Sequence, residues 1–216
     1  MTHAERMARF DETDLYVVIT ESYCAGRSSL EVLDAVLDAG VRLIQLREKD
    51  LETLAHYRLA EQYRAKTADV GALLIIDDRV DIALAVDADG VHLGEYDLPV
   101  QAARRIAPDL ILGASSHNLD EALAAADAGA SYVNIGPIFA TRTKTLPMEP
   151  LGLDAIVEIA PHLRIPFTNM GGIKEHNIHQ IVEHGGRHPA VVTAVTEADD
   201  PRAAALALRE AMGATV

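Results

Sequence analysis

Val41-Arg42-Leu43-Ile44-Gln45-Leu46-Arg47-Glu48-Lys49 is the stretch on which fold and chemistry both turn. A helical pattern, Ser29–Ala39, precedes it, and Gly40 stands where a left-handed C-cap belongs. A second helical pattern, Leu51–Thr67, follows. The apolar run from Val41 to Leu46 therefore reads as a short strand between two helices. Side chains alternate with period two along a strand, so Gln45, Arg47 and Lys49 share one face and converge where the strand runs out. Arginine offers a planar fork of donors and lysine a compact point charge, a pairing suited to a phosphate or pyrophosphate. Taken alone, the segment reads equally well as a charged strand end meeting solvent. The other strand ends decide between these readings.

Working outward, the same unit recurs along the chain. Strands are expected at Leu15–Thr20, Leu43–Arg47, Leu73–Asp77, Gly90–Gly94, Leu110–Ser115, Tyr132–Gly136, Phe167–Gly171 and Ala190–Ala194. Between and after them lie helical segments at Ser29–Ala39, Leu51–Thr67, Val80–Val86, Val100–Ile106, Leu119–Ala128, Leu153–Ile159, Asn177–Glu183 and Pro201–Met212. Several helix starts are written in side chains: Ser28 or Ser29, Asn118 with Glu121 three residues on, and Asp200 before Pro201. Eight strand–helix units with near-continuous apolar strands predict an α/β chain folded as a (β/α)8 TIM barrel. A doubly wound open sheet competes, but it calls for a Gly-rich loop after the first strand, and Glu21-Ser22-Tyr23-Cys24 is not one. We expect residues 1–14 to be a polar lead-in and residues 15–216 to form a single barrel domain.

The 216 residues carry 19 basic and 33 acidic side chains, a formal charge of −14. Such a surface repels nucleic acid and anionic membranes, and it gives weight to cations gathered on one rim. No apolar run approaches the roughly 18 residues that span a bilayer. The mixed-charge start, Met1 to Arg6, lacks a signal-peptide core, and the single cysteine, Cys24, permits no internal disulfide. We expect a cytoplasmic protein acting on small molecules. Whether it assembles into homo-oligomers is left open.

In a barrel of this kind the chemistry sits where the strands end. The third strand ends in Asp77-Asp78, and Asp97 follows the fourth; Asp78 and Asp97 form a carboxylate pair of the kind that holds Mg²⁺, although an aspartate before a helix is also an ordinary cap. The fifth ends in Ser115-Ser116-His117-Asn118. His117 reads either as an acid–base group or as a structural histidine. After the sixth comes Gly136-Pro137-Ile138-Phe139-Ala140-Thr141-Arg142-Thr143-Lys144, with two hydroxyls and two cations on a hinged loop. Gly171-Gly172 and Val192-Thr193 close the circle at strands seven and eight, the usual phosphate seat of the fold.

Taken in order, these anchors closely resemble the thiamine-phosphate synthase family, from about Leu15 to Leu208. The resemblance rests on Gln45 to Lys49, Asp78-Arg79-Val80-Asp81, Ala88 to Gly94 with Asp97-Leu98-Pro99, Ser115 with His117-Asn118, Gly136 to Phe139 with Thr141, Thr143 and Lys144, and Gly171-Gly172-Ile173. It implies a transferase that joins hydroxymethylpyrimidine diphosphate to thiazole phosphate, with Mg²⁺ assisting pyrophosphate departure through a carbocation. By that resemblance Gln45, Arg47 and Lys49 grip the diphosphate, and Asp78 and Asp97 hold Mg²⁺. Ser115 and Lys144 meet the leaving pyrophosphate, with Arg47 beside them in the chemical step. Thr141 and Thr143 line the thiazole-phosphate side, and Gly172, Val192 and Thr193 contact its phosphate. Asp77 is a departure: the family has an asparagine there, touching the diphosphate substrate. An ionised Asp77 offers only acceptors, so it is expected to join the metal shell or to be held protonated. Glu95 in place of glutamine, Thr193 in place of serine and Ala140 in place of proline are lesser departures. Two other readings stay open: a tautomerase-like isomerase using His117, and a non-catalytic paralogue that binds thiamine phosphates.

Overall fold

The computed structural model describes residues 1–142 and 149–214. Its eight strands are β1 (Tyr16–Ile19), β2 (Leu43–Leu46), β3 (Leu73–Asp77), β4 (Gly90–Leu93), β5 (Ile111–Ser116), β6 (Tyr132–Ile135), β7 (Phe167–Met170) and β8 (His188–Val191). They pair in chain order and close into a barrel, with Tyr16 against Ala190 at the seam between β1 and β8. Every pairing is parallel. The helices are α1 (His3–Asp11), α2 (Ser29–Asp38), α3 (Thr53–Asp69), α4 (Val80–Ala85), α5 (Val100–Ile106), α6 (Leu119–Asp127), α7 (Asp154–Ile159), α8 (Glu175–Glu183), α9 (Thr193–Thr196) and α10 (Pro201–Ala211). The expected TIM barrel is the observed one.

Alternation along β2 shows how the sequence sorts its side chains. Ile44 and Leu46 belong to the large apolar layer between strands and helices, whereas Leu43 belongs to a separate cluster inside the barrel. Gln45 is buried and its amide reaches Tyr16 on the neighbouring β1, inside the barrel with Leu43. The caps also form as their residue types demand. Ser28 and Glu31 make a reciprocal capping box, Asn118 accepts from the Glu121 amide at 2.9 Å, and Asp200 accepts from the Ala203 amide at 3.0 Å.

Two segments differ from the sequence expectation. The polar lead-in contains α1, started by a Thr2–Glu5 capping box, and Phe10 from its last turn is fully buried. The Phe10 ring stacks on Tyr132 at 5.1 Å and lies 4.7 Å from His188, so it plugs the base of the barrel. Met7 and Phe10 are the only large apolar residues in this short charged helix, too few for a clear periodic signal. The last strand also begins earlier, at His188, and Val192 departs from strand geometry with ψ −93° before the short α9. His188-Pro189 reads as a break because proline lacks an N–H, yet here Pro189 is in the ladder opposite Asn169.

His188, buried under that plug, has its pKa pushed down to about 4 by burial. The folded state therefore refuses a proton that the unfolded histidine accepts near pH 6.5. Its contribution is complete above that pH and is lost as pH falls towards 4, a change of roughly 3 kcal/mol. Urea unfolding of the wild type and His188→Gln at pH 7 and pH 4.5 checks this: the variant is expected to lose distinctly less stability on acidification. Equal losses in both proteins would refute the assignment.

Candidate active site

The ends of β2 and β3 face each other and bring opposite charges together. Lys49 Nζ lies 2.9 Å from Asp77 Oδ2 as an ion-pair contact without hydrogen-bond geometry, and Arg47 Nε lies 3.5 Å from the same oxygen. Lys49 also pairs with Asp78. Burial works against the Lys49 ammonium, but Asp77 and Asp78 outweigh it and its pKa is raised. Asp78 adopts a left-handed backbone, φ +59°, a conformation that Asp tolerates better than most residues. Its amide donates to the His92 carbonyl at 2.8 Å, which holds the turn against β4.

The Asp78 pKa is pushed up to about 7, first by burial, then by the charge of Asp77 and by the neighbouring Asp97 carboxyl. Asp97 Oδ2 is fixed by the Gly94 amide at 2.7 Å. Asp78, with a second carboxylate beside it, is relieved by a proton or by a cation. Among the described residues no three His, Cys, Asp or Glu side chains form a closed metal cage. Two oxygen donors with the remaining positions open are what Mg²⁺ uses when phosphate and water complete its shell, so the donor set fits that ion.

A cavity of about 120 Å³ lies beside these charges and is lined by Gln45, Arg47, Lys49, Asp77, Asp78 and, from the next strands, His92, Ser115 and Asn134. A second cavity, about 440 Å³, opens over β7 and β8 and is lined by Thr141, Gly172, Lys174, Val192 and Thr193. Tyr23, Met170 and Val192 line both, so the two cavities adjoin. Lys174 Nζ donates to the Thr193 hydroxyl at 2.9 Å, which places a cation in the second cavity. Gly172, at φ +62°, is needed for close packing: a Cβ there would meet the Ala140 carbonyl at 2.4 Å.

The structure thus gathers Gln45, Arg47, Lys49, Asp77, Asp78 and Ser115 at one cavity and Thr141, Gly172, Val192 and Thr193 at its neighbour, with Asp97 beside Asp78 but outside the cavity lining. Thr143 and Lys144 lie outside the described residues. Asp77, expected in the metal shell or held protonated, lies against two cations, Arg47 and Lys49. His117 is engaged by Glu121 at the start of α6, Nδ1 to Oε2 2.9 Å, and lines neither cavity. Cys24 is buried, its thiol pushed up to about 11 by burial and by Glu21 and Glu48, which leaves it unreactive near neutrality. Sequence reading missed His92, Asn134, Tyr23, Met170 and Lys174. Period-two counting from Gly90 and Tyr132 could have found His92 and Asn134.

A closed parallel barrel with cations and paired carboxylates on its carboxyl-terminal rim defines a (β/α)8 enzyme built for a phosphorylated ligand. A family model described as thiamine monophosphate synthase matches residues 15–195. The thiamine-phosphate synthase of Chloroflexus aurantiacus is 45% identical over 201 residues, 93% of each chain. That of Pelotomaculum thermopropionicum is 40% identical and covers 92% of this chain and 91% of its own. The solved thiamine phosphate pyrophosphorylase from Pyrococcus furiosus superposes with a TM-score of 0.86 at 37% identity, covering 94% of this chain and 96% of that one. The chain belongs to the thiamine monophosphate synthase family, a family of transferases. A 3-hexulose-6-phosphate synthase at 19% identity, TM-score 0.70, covers 92% of this chain and 99% of its own and shares the fold alone.

The Asp77 carboxylate competes with any anion for Arg47 and Lys49. Asp77→Asn is expected to tighten binding of inorganic pyrophosphate about tenfold, the effect of roughly one charge pair at a partly buried site. Calorimetric titration checks it. Unchanged or weaker binding would mean that Asp77 orients the two cations rather than opposing the ligand.

Proposed function

We propose that this protein is a thiamine-phosphate synthase, joining hydroxymethylpyrimidine diphosphate to thiazole phosphate to give thiamine phosphate and pyrophosphate. The observation that carries the reading is the meeting of Arg47 and Lys49 with Asp77 and Asp78 where β2 and β3 end, with Asp97 beside Asp78. Family membership supports the overall reaction, and that rim supports its chemical form. Neither substrate is a macromolecule, in keeping with the strongly acidic chain. No helix of the described residues is long and apolar enough to cross a membrane. A cytoplasmic setting fits these features.

In this reading the bond from the pyrimidine methylene carbon to the diphosphate oxygen breaks first. Its electron pair leaves with pyrophosphate, and the thiazole nitrogen then supplies the pair for the new C–N bond. Charge develops on the departing oxygens, so donors fixed in advance count for most. Arg47 and Lys49 supply two cations, Ser115 a hydroxyl, and Lys144 from the loop after β6 a further cation. Mg²⁺, held by Asp78 and Asp97, would neutralise further charge on the departing pyrophosphate. Gln45 contributes to the floor of the diphosphate cavity. We assign the cavity lined by Thr141, Gly172, Val192 and Thr193 to the thiazole phosphate, where Lys174 adds a cation, and the family resemblance adds Thr143 to that group. Holding both substrates in adjoining cavities favours capture by nitrogen over capture by water. An isomerase relying on His117 is disfavoured, because Glu121 already engages that ring.

Incubation with both substrates is expected to release pyrophosphate and thiamine phosphate in equal amounts with Mg²⁺, and neither with EDTA. Asp78→Asn should lower kcat about 100-fold while the circular dichroism spectrum stays unchanged, since a lost metal contact of this kind is worth several kcal/mol. Turnover that persists in EDTA, or binding without pyrophosphate release, would contradict the proposal.

A further inference from the structure

Beneath the charged rim, a chain of four hydrogen bonds crosses the barrel interior and joins both ends of the first cavity. Gln45 Nε2 donates to the Tyr16 hydroxyl at 2.6 Å. The Tyr16 and Tyr132 hydroxyls are 3.1 Å apart, Tyr132 Oη is 3.0 Å from His92 Nδ1, and His92 Nε2 is 3.1 Å from Ser115 Oγ. Tyr16 and Tyr132 are fully enclosed and line neither cavity, so neither is placed to touch a substrate. The packing around the chain is built for it. Tyr132 is stacked between Phe10 and the His92 ring, and a Cβ on Gly113 would fall 2.3 Å from the Tyr132 hydroxyl and 2.6 Å from His92 Nδ1.

Resting on the reaction proposed above, we infer that Tyr16 and Tyr132 are positioning residues, which orient the hydroxyl of Ser115 through His92. The direction follows from counting protons. The Tyr16 oxygen accepts from the Gln45 amide, so the Tyr16 proton goes to the Tyr132 oxygen and the Tyr132 proton to His92 Nδ1. That fixes the histidine as the Nε2–H tautomer, and Nε2–H donates to Ser115 Oγ. Ser115 then presents its own O–H to the cavity, as a donor for the leaving diphosphate. In the reverse direction the Tyr16 oxygen would receive two protons while its own was aimed at neither neighbour. Burial raises both phenol pKa values, so both hydroxyls keep the protons the chain needs.

Tyr132→Phe keeps the ring stack and removes the hydroxyl. It is expected to lower kcat about tenfold, with KM for both substrates within twofold of wild type. In a Ser115→Ala background the same change is expected to alter kcat less than twofold, because its effect passes through that hydroxyl. Nitrogen-15 NMR of the histidine rings should show His92 as the Nε2–H tautomer in the wild type and as a mixture of tautomers in Tyr132→Phe. Tyr16→Phe, one bond further along, should act in the same direction and serves if Tyr132→Phe folds poorly. A wild-type Nδ1–H tautomer, or full kcat in both tyrosine variants, would overturn the inference. Wild-type protein that binds both substrates without turnover would overturn the proposed reaction alone, while the tautomer still decides the direction of the chain.

Discussion

Closing eight parallel strands forces every second side chain into a narrow interior, where each must be packed or hydrogen-bonded. The chain solves this by height. Phe10, Leu43, Leu73 and Ile111 form apolar packing inside the barrel, with Phe10 plugging its base. Tyr16 and Tyr132 pack with that cluster through their rings and turn their hydroxyls towards each other, Gln45 and His92. At the ends of β2 and β3 charges appear, and there Arg47 and Lys49 meet Asp77 and Asp78.

Those partners explain how a protein with a formal charge of −14 can present a site for an anion. Arg47 and Lys49 are concentrated at one point rather than spread over the surface, and their fields are held in place by Asp77 and Asp78. A buried carboxylate pair costs free energy unless a proton or a cation relieves it. Asp78 shows the first form of relief in its raised pKa. A divalent ion would supply the second, which couples metal binding to Asp78, one of the two carboxylates that hold Lys49 in place. The site is therefore a balance of charges in which Arg47 and Lys49 are already partnered by Asp77 and Asp78.

Much of this was legible in the sequence because the signals were periodic. The alternation of Leu43, Gln45, Arg47 and Lys49 predicted a shared face, and the caps at Ser28, Asn118 and Asp200 predicted where helices begin. Most of what escaped lacked a repeating signal. α1 carries a single deeply buried aromatic residue, Phe10, among charges. β8 contains a proline, and its last two expected residues belong to the short α9. Gly171 and Gly172 line the second cavity and also pack against the loop of Pro137 to Ala140, a contact their sequence does not announce. His92 and Asn134 sit one or two residues before their strand ends, inside the positions that reading the ends alone brings into view. Lys174 is far from the cations of β2 in sequence and enters the site only through the fold.

The account depends on one rim serving as a diphosphate site and a metal site together. A crystal structure grown with Mg²⁺, pyrophosphate and thiamine phosphate tests it most directly. The account predicts one metal ion contacting Asp78 and Asp97, pyrophosphate on Arg47, Lys49 and Ser115, and the thiazole phosphate over Gly172 and Thr193. Pyrophosphate bound elsewhere, or a metal ion that avoids both aspartates, would contradict it.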